Sequence, residues 1–228
     1  MKDQPNTPRT PDEVGVPDPF QYMHPVMKAN YGNWDWHDRP RPGVLRHVSK
    51  SGDIIYTVRA GTQRQMDVFT IRTLCDIADE FADGHMRFTT RSNAEFMVTS
   101  EDKTGPLIER LNAAGFPVGG TGNSLSMISH TQGWLHCDIP GTDASGVVKS
   151  LMDELMHEFT NEEMPNRVRM TTSCCQINCG GQGDIAINVQ HTKPPKINHD
   201  QVANVCERPS VVARCPVAAI RPALVDGK

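Results

Sequence analysis

Two runs rich in apolar and β-branched residues flank a polar Ser-Gly-Asp turn in GVLRHVSKSGDIIYTVRAG, residues 43–61. That pattern predicts two extended runs. From Met66 to Phe81 the spacing becomes helical, with Phe69, Leu74, Ile77 and Phe81 as the apolar positions. MRFTTR and AEFMVTS then predict two tightly joined strands, and Thr104 to Ala114 predicts a helix ended by Gly115. Strand, helix, strand, strand, helix is the split βαβ order of a ferredoxin-like half-domain, with a last strand near Phe116 or in SLSMISH. The class expected is α+β.

Beyond that half, Ser145 to Phe159 predicts an amphipathic helix, and Arg167 to Thr172 and Gly183 to Val189 predict strands. Between them lies GFPVGGTGN, Gly115 to Asn123, which lacks the lysine of a phosphate-binding loop and does not open a helix in GxGxxG form. It is read as a plain connecting loop. The stretch before residue 44 is rich in proline and polar groups and carries Tyr31, Trp34 and Trp36 near its end. Such an arm cannot bury enough apolar surface to fold alone, and its aromatics favour docking against another surface.

Composition narrows the partners. The chain has 228 residues, a formal net charge of -4 and a pI near 6.1, so it carries no overall nucleic-acid footprint. No stretch resembles a secretory leader or reaches the roughly 20 apolar residues of a membrane helix, which makes a soluble cytoplasmic protein without membrane insertion the expectation. Seven cysteines in such a compartment are expected as thiolates or metal ligands rather than disulfides.

Three of those cysteines crowd into TTSCCQINCGG, residues 171–181, on the loop between the two later strands. Cysteine thiolates grouped on one tight loop, with a further ligand from elsewhere, are the pattern that holds iron-sulfur clusters. Cys174, Cys175 and Cys179 supply the group, and Gly180 and Gly181 allow close backbone approach. The fourth sulfur has candidates in Cys75, Cys137, Cys206 and Cys215. Cys75 falls inside the long helix, where a buried apolar role is expected, and Cys206 has no evident ligand role. Cys137, at an expected strand end before Pro140 and Gly141, suits the role best. Four thiolates also suit zinc, although adjacent cysteines match zinc-knuckle spacing poorly.

NRVRMTTSCCQINCGGQGDIAINVQHTKPPKINHD, together with HTQGWLHCD and MRFTTRSNAEFMV upstream, resembles the sulfite and nitrite reductase family, and within it the beta subunits of dissimilatory sulfite reductases, from about Asn33 to the end. The resemblance implies a 4Fe-4S cluster bridged through one cysteine sulfur to sirohaem iron. The wider family carries C-x5-C and then C-x3-C. Here Cys175 and Cys179 match the second pair, whereas Thr131 stands where the partner of Cys137 is expected and Cys174 replaces that ligand. Cys137, Cys174, Cys175 and Cys179 are thereby assigned to the cluster, with Cys179 as the bridge. The implied organisation is an arm at 1–43, a ferredoxin-like half-domain at 44–124, a sirohaem and 4Fe-4S domain at 125–210, and the start of a ferredoxin-type insertion at 211–228.

Sirohaem carboxylates and a sulfite anion demand cations, for which arginine's permanent forked charge is suited. Arg87 and Arg91 lie four apart on MRFTTR, and Arg167 and Arg169 two apart on NRVRM, so each pair is expected on one strand face. The family match is best for Arg91, Arg167 and Arg169, implying contacts with substrate or cofactor. Arg59, Arg64, Arg87, Lys193 and Lys196 are further cofactor-binding candidates. His130, His136 and His191 lie near the cofactor loops in sequence but are expected as surface or hydrogen-bonding groups.

The implied activity is multi-electron reduction of sulfite toward sulfide. Alternatives are a reverse-type enzyme oxidising reduced sulfur, an iron-sulfur electron-transfer protein without sirohaem, and a zinc scaffold. Cys215-Pro216 resembles the closing Cys-Pro of a ferredoxin, so Cys215 is expected to belong to a second 4Fe-4S cluster whose remaining ligands lie beyond Lys228, in a longer subunit. The implied partners are a homologous alpha subunit, paired into a heterotetramer, and a small sulfur-carrier protein.

Overall fold

The computed structural model of the chain describes residues 18–181, 183–189, 192–193, 196–205 and 208–224. His191 and Cys206 fall outside them. The chain divides into two compact units between Val189 and Gln190; the breaks expected from sequence lie near 43, 124 and 210.

The first unit begins with a short helix α1 (Pro25–Ala29), capped by His24 Nδ1, which accepts from Val26 N at 3.2 Å. Five antiparallel strands follow in the spatial order β1-β2-β3-β5-β4: β1 (Trp34–Arg41), β2 (Val44–Ser49), β3 (Ile54–Gly61), β4 (Met86–Phe88) and β5 (Asn93–Val98). Strand β1 occupies the stretch read from sequence as an arm. An edge position explains how it accommodates Pro40, since one side of an edge strand makes no ladder bonds.

Two helices pack on this sheet. Helix α2 (Val68–Phe81) starts at Asp67, whose carboxylate accepts from Thr70 N at 2.7 Å, and buries Leu74, Ile77 and Ala78. Helix α3 (Thr104–Ala113) buries Leu107 and Leu111 and ends before Gly115, whose φ of +84° suits glycine. These side chains meet Val58, Ala60, Ala94, Phe96 and Val98 in one core, each large one contributing about 1.5–3 kcal/mol by leaving water. Two expectations on α2 fail. Phe69 is exposed, and so is Cys75; both lie off the stripe formed by Leu74, Ile77 and Ala78.

A second core in the same unit joins helix α4 (Ala144–Thr160) to a small parallel sheet of β6 (Ser129–His130), β7 (Met170–Ser173) and β8 (Ile185–Asn188), through Leu125, Ile128, Met152, Phe159 and Met170. The glycine stretch forms the seam. A Cβ at Gly119 would lie 2.1 Å from the carbonyl oxygen of Phe159, and Gly120 N donates to that oxygen at 2.7 Å. Close packing, rather than phosphate binding, accounts for Gly119 and Gly120.

The second unit contains helices α5 (His199–Val205) and α6 (Arg208–Arg214). Among the described residues no helix is long and apolar enough to cross a membrane.

Candidate anion pocket and cysteine cluster

Four guanidinium groups line one pocket of about 190 Å³: Arg59 from β3, Arg91 from the turn between β4 and β5, and Arg167 and Arg169 from the segment entering β7. The pocket is smaller than the roughly 300 Å³ at which sites for larger organic ligands begin. It suits a small oxyanion or one carboxylate arm of a larger ligand. Asn93 and Ser126 add polar lining.

Strand bounds differ from the sequence expectation at both arginine pairs. Strand β4 stops at Phe88, and Arg91 sits in a turn that includes Ser92 at φ +59°, so Arg91 and Arg87 do not share a strand face. Arg87 is half-exposed and donates from Nε to Glu95 Oε2 at 2.6 Å, outside the pocket lining. Strand β7 begins only at Met170, yet Arg167 and Arg169 both reach the pocket. Arg64, exposed, donates to the carbonyl of His130 at 2.6 Å.

The pocket's charge is largely uncompensated. Arg91 Nη1 donates to Met170 O at 2.8 Å and Arg167 Nη2 to Gly120 O at 2.9 Å, both main-chain carbonyls. Among the described residues neither these two nor Arg169 forms an ion pair with a carboxylate. Asp184 Oδ2 instead accepts from the Arg169 main chain at 2.8 Å. Burial and then the neighbouring guanidiniums push the pKa of Arg167 below the ordinary arginine value, and burial and Arg169 do the same for Arg91. Arg167 Nε and Asn93 Oδ1 are buried without a hydrogen-bond partner, a condition that costs about 1–3 kcal/mol per group unless a ligand satisfies it. Repelling cations with unused donors are poised for an anion.

Beyond the pocket, β7 runs for four residues, about 13 Å, and delivers the chain into the cysteine loop. Cys174 and Cys175 are buried, and Cys137 packs against them with Ala144. Cys137 follows a turn of 3-10 helix, Gly133–Leu135, rather than a strand. Cys174 N donates to Thr131 Oγ1 at 2.9 Å, and a side-chain hydrogen bond with the same threonine draws the Cys174 thiol below its ordinary pKa. For Cys137, the Ile139 amide favours the thiolate, but desolvation and the hydrogen bond with Cys174 outweigh it and push the thiol up.

Cys179, four residues on, is exposed, and among the described residues no three His, Cys, Asp or Glu side chains are disposed to hold a metal ion. The structure thus packs three of the four assigned cysteines together and leaves the fourth at the rim of the same loop. In the second unit Lys193 and Lys196 are exposed. The sulfur of Cys215 accepts from Ala219 N at 3.2 Å, the leading cause of its lowered pKa.

Residues 47–114 match the model of the nitrite/sulfite reductase ferredoxin-like half domain. The dissimilatory-type sulfite reductase subunit beta of Megalodesulfovibrio gigas is 49% identical over 211 residues, covering 89% of this chain and 80% of that protein. The chain belongs to this family of beta subunits. The counterpart in Archaeoglobus fulgidus is 45% identical over 92% of the chain and 60% of its own length, and that of Nitratidesulfovibrio vulgaris 46% identical over 90% and 56%. The chain therefore spans somewhat over half the length of these two relatives. The fold resembles the crystal structure of dissimilatory sulfite reductase I, with a TM-score of 0.69 at 14% identity over 78% of this chain and 46% of that one. It also resembles the NirA protein of Mycobacterium tuberculosis, with a TM-score of 0.52 at 16% identity over 61% and 26%.

The family resemblance, the α+β class and the ferredoxin-like half read from sequence are borne out. Sequence reading missed Glu95, which is buried between Arg59 and Arg87, and it missed Asn93 and Ser126 in the pocket. No local signal marks them; Glu95 and Asn93 are placed by strand pairing and Ser126 by its main-chain bond to Val168.

Proposed function

We propose that the chain is the beta subunit of a dissimilatory sulfite reductase, acting with a homologous alpha subunit in the reduction of sulfite toward sulfide. The observation that carries this reading is the joining, through one four-residue strand, of a carboxylate-free arginine pocket to a packed group of cysteines. Both halves fit the family's cofactors. Guanidiniums, three of the four without a carboxylate partner, suit a polycarboxylate tetrapyrrole and an oxyanion, and clustered thiols suit iron.

In this reading Cys137, Cys174, Cys175 and Cys179 would hold a 4Fe-4S cluster, and Cys179, at the exposed rim, would be the ligand available to sirohaem. When bound, the cofactor pair supplies the electrons and the metal that takes the sulfur of sulfite. In the pocket Arg91, Arg167 and Arg169 grip a carboxylate arm of the tetrapyrrole and the oxygens of sulfite, offset their charge, and stabilise each sulfite oxygen as it gains protons and departs as water. Arg59 grips a cofactor carboxylate, and Arg64, Lys193 and Lys196 are further cofactor-binding candidates. Arg87 acts only through Glu95. Cys215 is a ligand of a second 4Fe-4S cluster, the small sulfur-carrier protein receives the partly reduced sulfur, and the assembly works in the cytoplasm.

Anaerobic co-expression with an alpha subunit, followed by sulfite-dependent oxidation of a reduced dye, tests the reading. Turnover that falls at least about tenfold in Arg91→Ala, as for loss of one preorganised charge contact, supports it. A complex that binds both cofactors yet never consumes electrons on adding sulfite contradicts it.

A further inference from the structure

We propose that Glu95 is a positioning residue of the anion pocket, fixing Arg59 in the one orientation from which it can complete the ring of guanidiniums. This rests on the pocket being the binding site for the carboxylates of a tetrapyrrole.

Glu95 is 1% exposed and lies on β5, which is buried on both faces. In the sheet register Arg59 of β3 and Arg87 of β4 stand directly opposite it, one on each side. Oε1 accepts from Arg59 Nε at 2.7 Å and lies 2.7 Å from its Nη2 as an ion pair, and Oε2 accepts from Arg87 Nε at 2.6 Å. Arg59 Nη1 is held in turn by Gly120 O at 2.5 Å, the same carbonyl that accepts from Arg167 Nη2. Both groups that hold Arg59, Glu95 and the Gly120 carbonyl, lie outside the pocket lining, and one N–H each on Nη1 and Nη2 remains for a ligand. Burial disfavours the carboxylate's charge, but the two guanidiniums outweigh it and keep the carboxyl ionised below its ordinary range.

Charge and position make opposite demands at this residue. A carboxylate that merely offset the pocket's charge would weaken anion binding, so its removal would tighten the site. A carboxylate that orients Arg59 does the reverse: removing it frees the guanidinium to leave the pocket, and anion binding weakens despite the gain in positive charge.

The test uses the metal-free full chain and uroporphyrin, a free-base porphyrin with eight carboxylates, followed by quenching of its fluorescence. Glu95→Gln is expected to weaken binding about tenfold, Arg59→Ala by a similar factor, and the double variant no further than either, because both break one unit. Arg59→Lys keeps the charge but not the fork, and is expected to behave as Arg59→Ala. It carries the test should Glu95→Gln fail to show the wild-type circular dichroism. Glu95→Asp is expected to recover part of the loss. Binding by Glu95→Gln as tight as wild type or tighter, additive losses in the double variant, or wild-type affinity in Arg59→Lys each overturns the positioning role. Should these leave binding intact while Arg167→Ala abolishes it, the pocket stands and only Glu95's role falls. Should Arg167→Ala and Arg91→Ala also bind normally, the pocket reading falls with it.

Discussion

The main-chain amide of Cys174 donates to the hydroxyl of Thr131 across 2.9 Å, at a place where both residues are closed to solvent. A hydroxyl thus stands where the family resemblance leads one to expect a sulfur, and it anchors the main chain of Cys174, a proposed cluster ligand. Thr131→Val keeps the shape and removes the acceptor, leaving a buried N–H unsatisfied. The expected cost is about 1–3 kcal/mol in urea unfolding, with Thr131→Ser retaining most of the stability. Equal stability of the valine and serine variants would show that the bond contributes nothing.

The glycine seam gives a graded comparison. An alanine Cβ at Gly119 would press on Phe159 main-chain atoms at 2.1 and 2.8 Å, whereas one at Gly115 meets nothing within 4 Å and is opposed only by its φ of +84°. Gly115→Ala is expected to lose about 1 kcal/mol from backbone strain, and Gly119→Ala to lose more, about 3 kcal/mol, from overpacking against backbone. Thermal melts that rank the two in the opposite order would contradict the close approach of the α4 terminus.

The hairpin at 43–61, both half-domain helices and the position of the cysteine loop were legible because each depends on local period or on residues adjacent in sequence. The pocket was only partly legible. Arg91, Arg167 and Arg169 were found by resemblance, but the face-sharing argument for Arg87 and Arg91 failed because a turn at Ser92 ends the strand early. Glu95 was invisible because a lone acidic residue in AEFMVTS acquires its meaning only from Arg87 across the β4–β5 turn and from Arg59 on β3, which is laid beside it by pairing between strands distant in the chain. Cys75 was misplaced as buried because the helical stripe was read one face too wide.

Arg167 separates stability from binding. Its guanidinium is repelled by Arg59, Arg169, Arg39 and Arg91, and its Nε has no partner. Arg167→Ala is expected to leave the melting temperature unchanged or raised while uroporphyrin affinity drops about tenfold, the trade expected where a binding site stores unfavourable charge. A lowered melting temperature with intact binding would mark Arg167 as a structural residue.

Acid should loosen the start of the chain. Burial pushes His24 below its ordinary pKa, against the opposing pull of Asp83 at 3.5 Å, and burial also lowers His47, whose ring meets Trp34 edge-on at 6.0 Å. With the folded pKa values depressed, the unfolded chain binds protons first, so stability holds above about pH 6.5 and falls as pH drops through the folded values. Protonating His24 Nδ1 also removes the acceptor that caps α1. Tryptophan fluorescence melts between pH 7.5 and 5.5 are expected to shift downward, and less so in His24→Asn; a flat profile would contradict the buried neutral histidines.

The central claim is that the cysteine loop and the arginine pocket together hold an iron-sulfur cluster beside a tetrapyrrole. The direct measurement is iron and acid-labile sulfide per chain, taken with the absorption spectrum, on anaerobically purified wild-type protein and on Cys137→Ala. The account requires an intense Soret band with iron and sulfide in the wild type, and loss of labile sulfide when the sulfur of residue 137 is removed. A colourless protein containing zinc, or a Cys137→Ala variant with undiminished iron and sulfide, would contradict it.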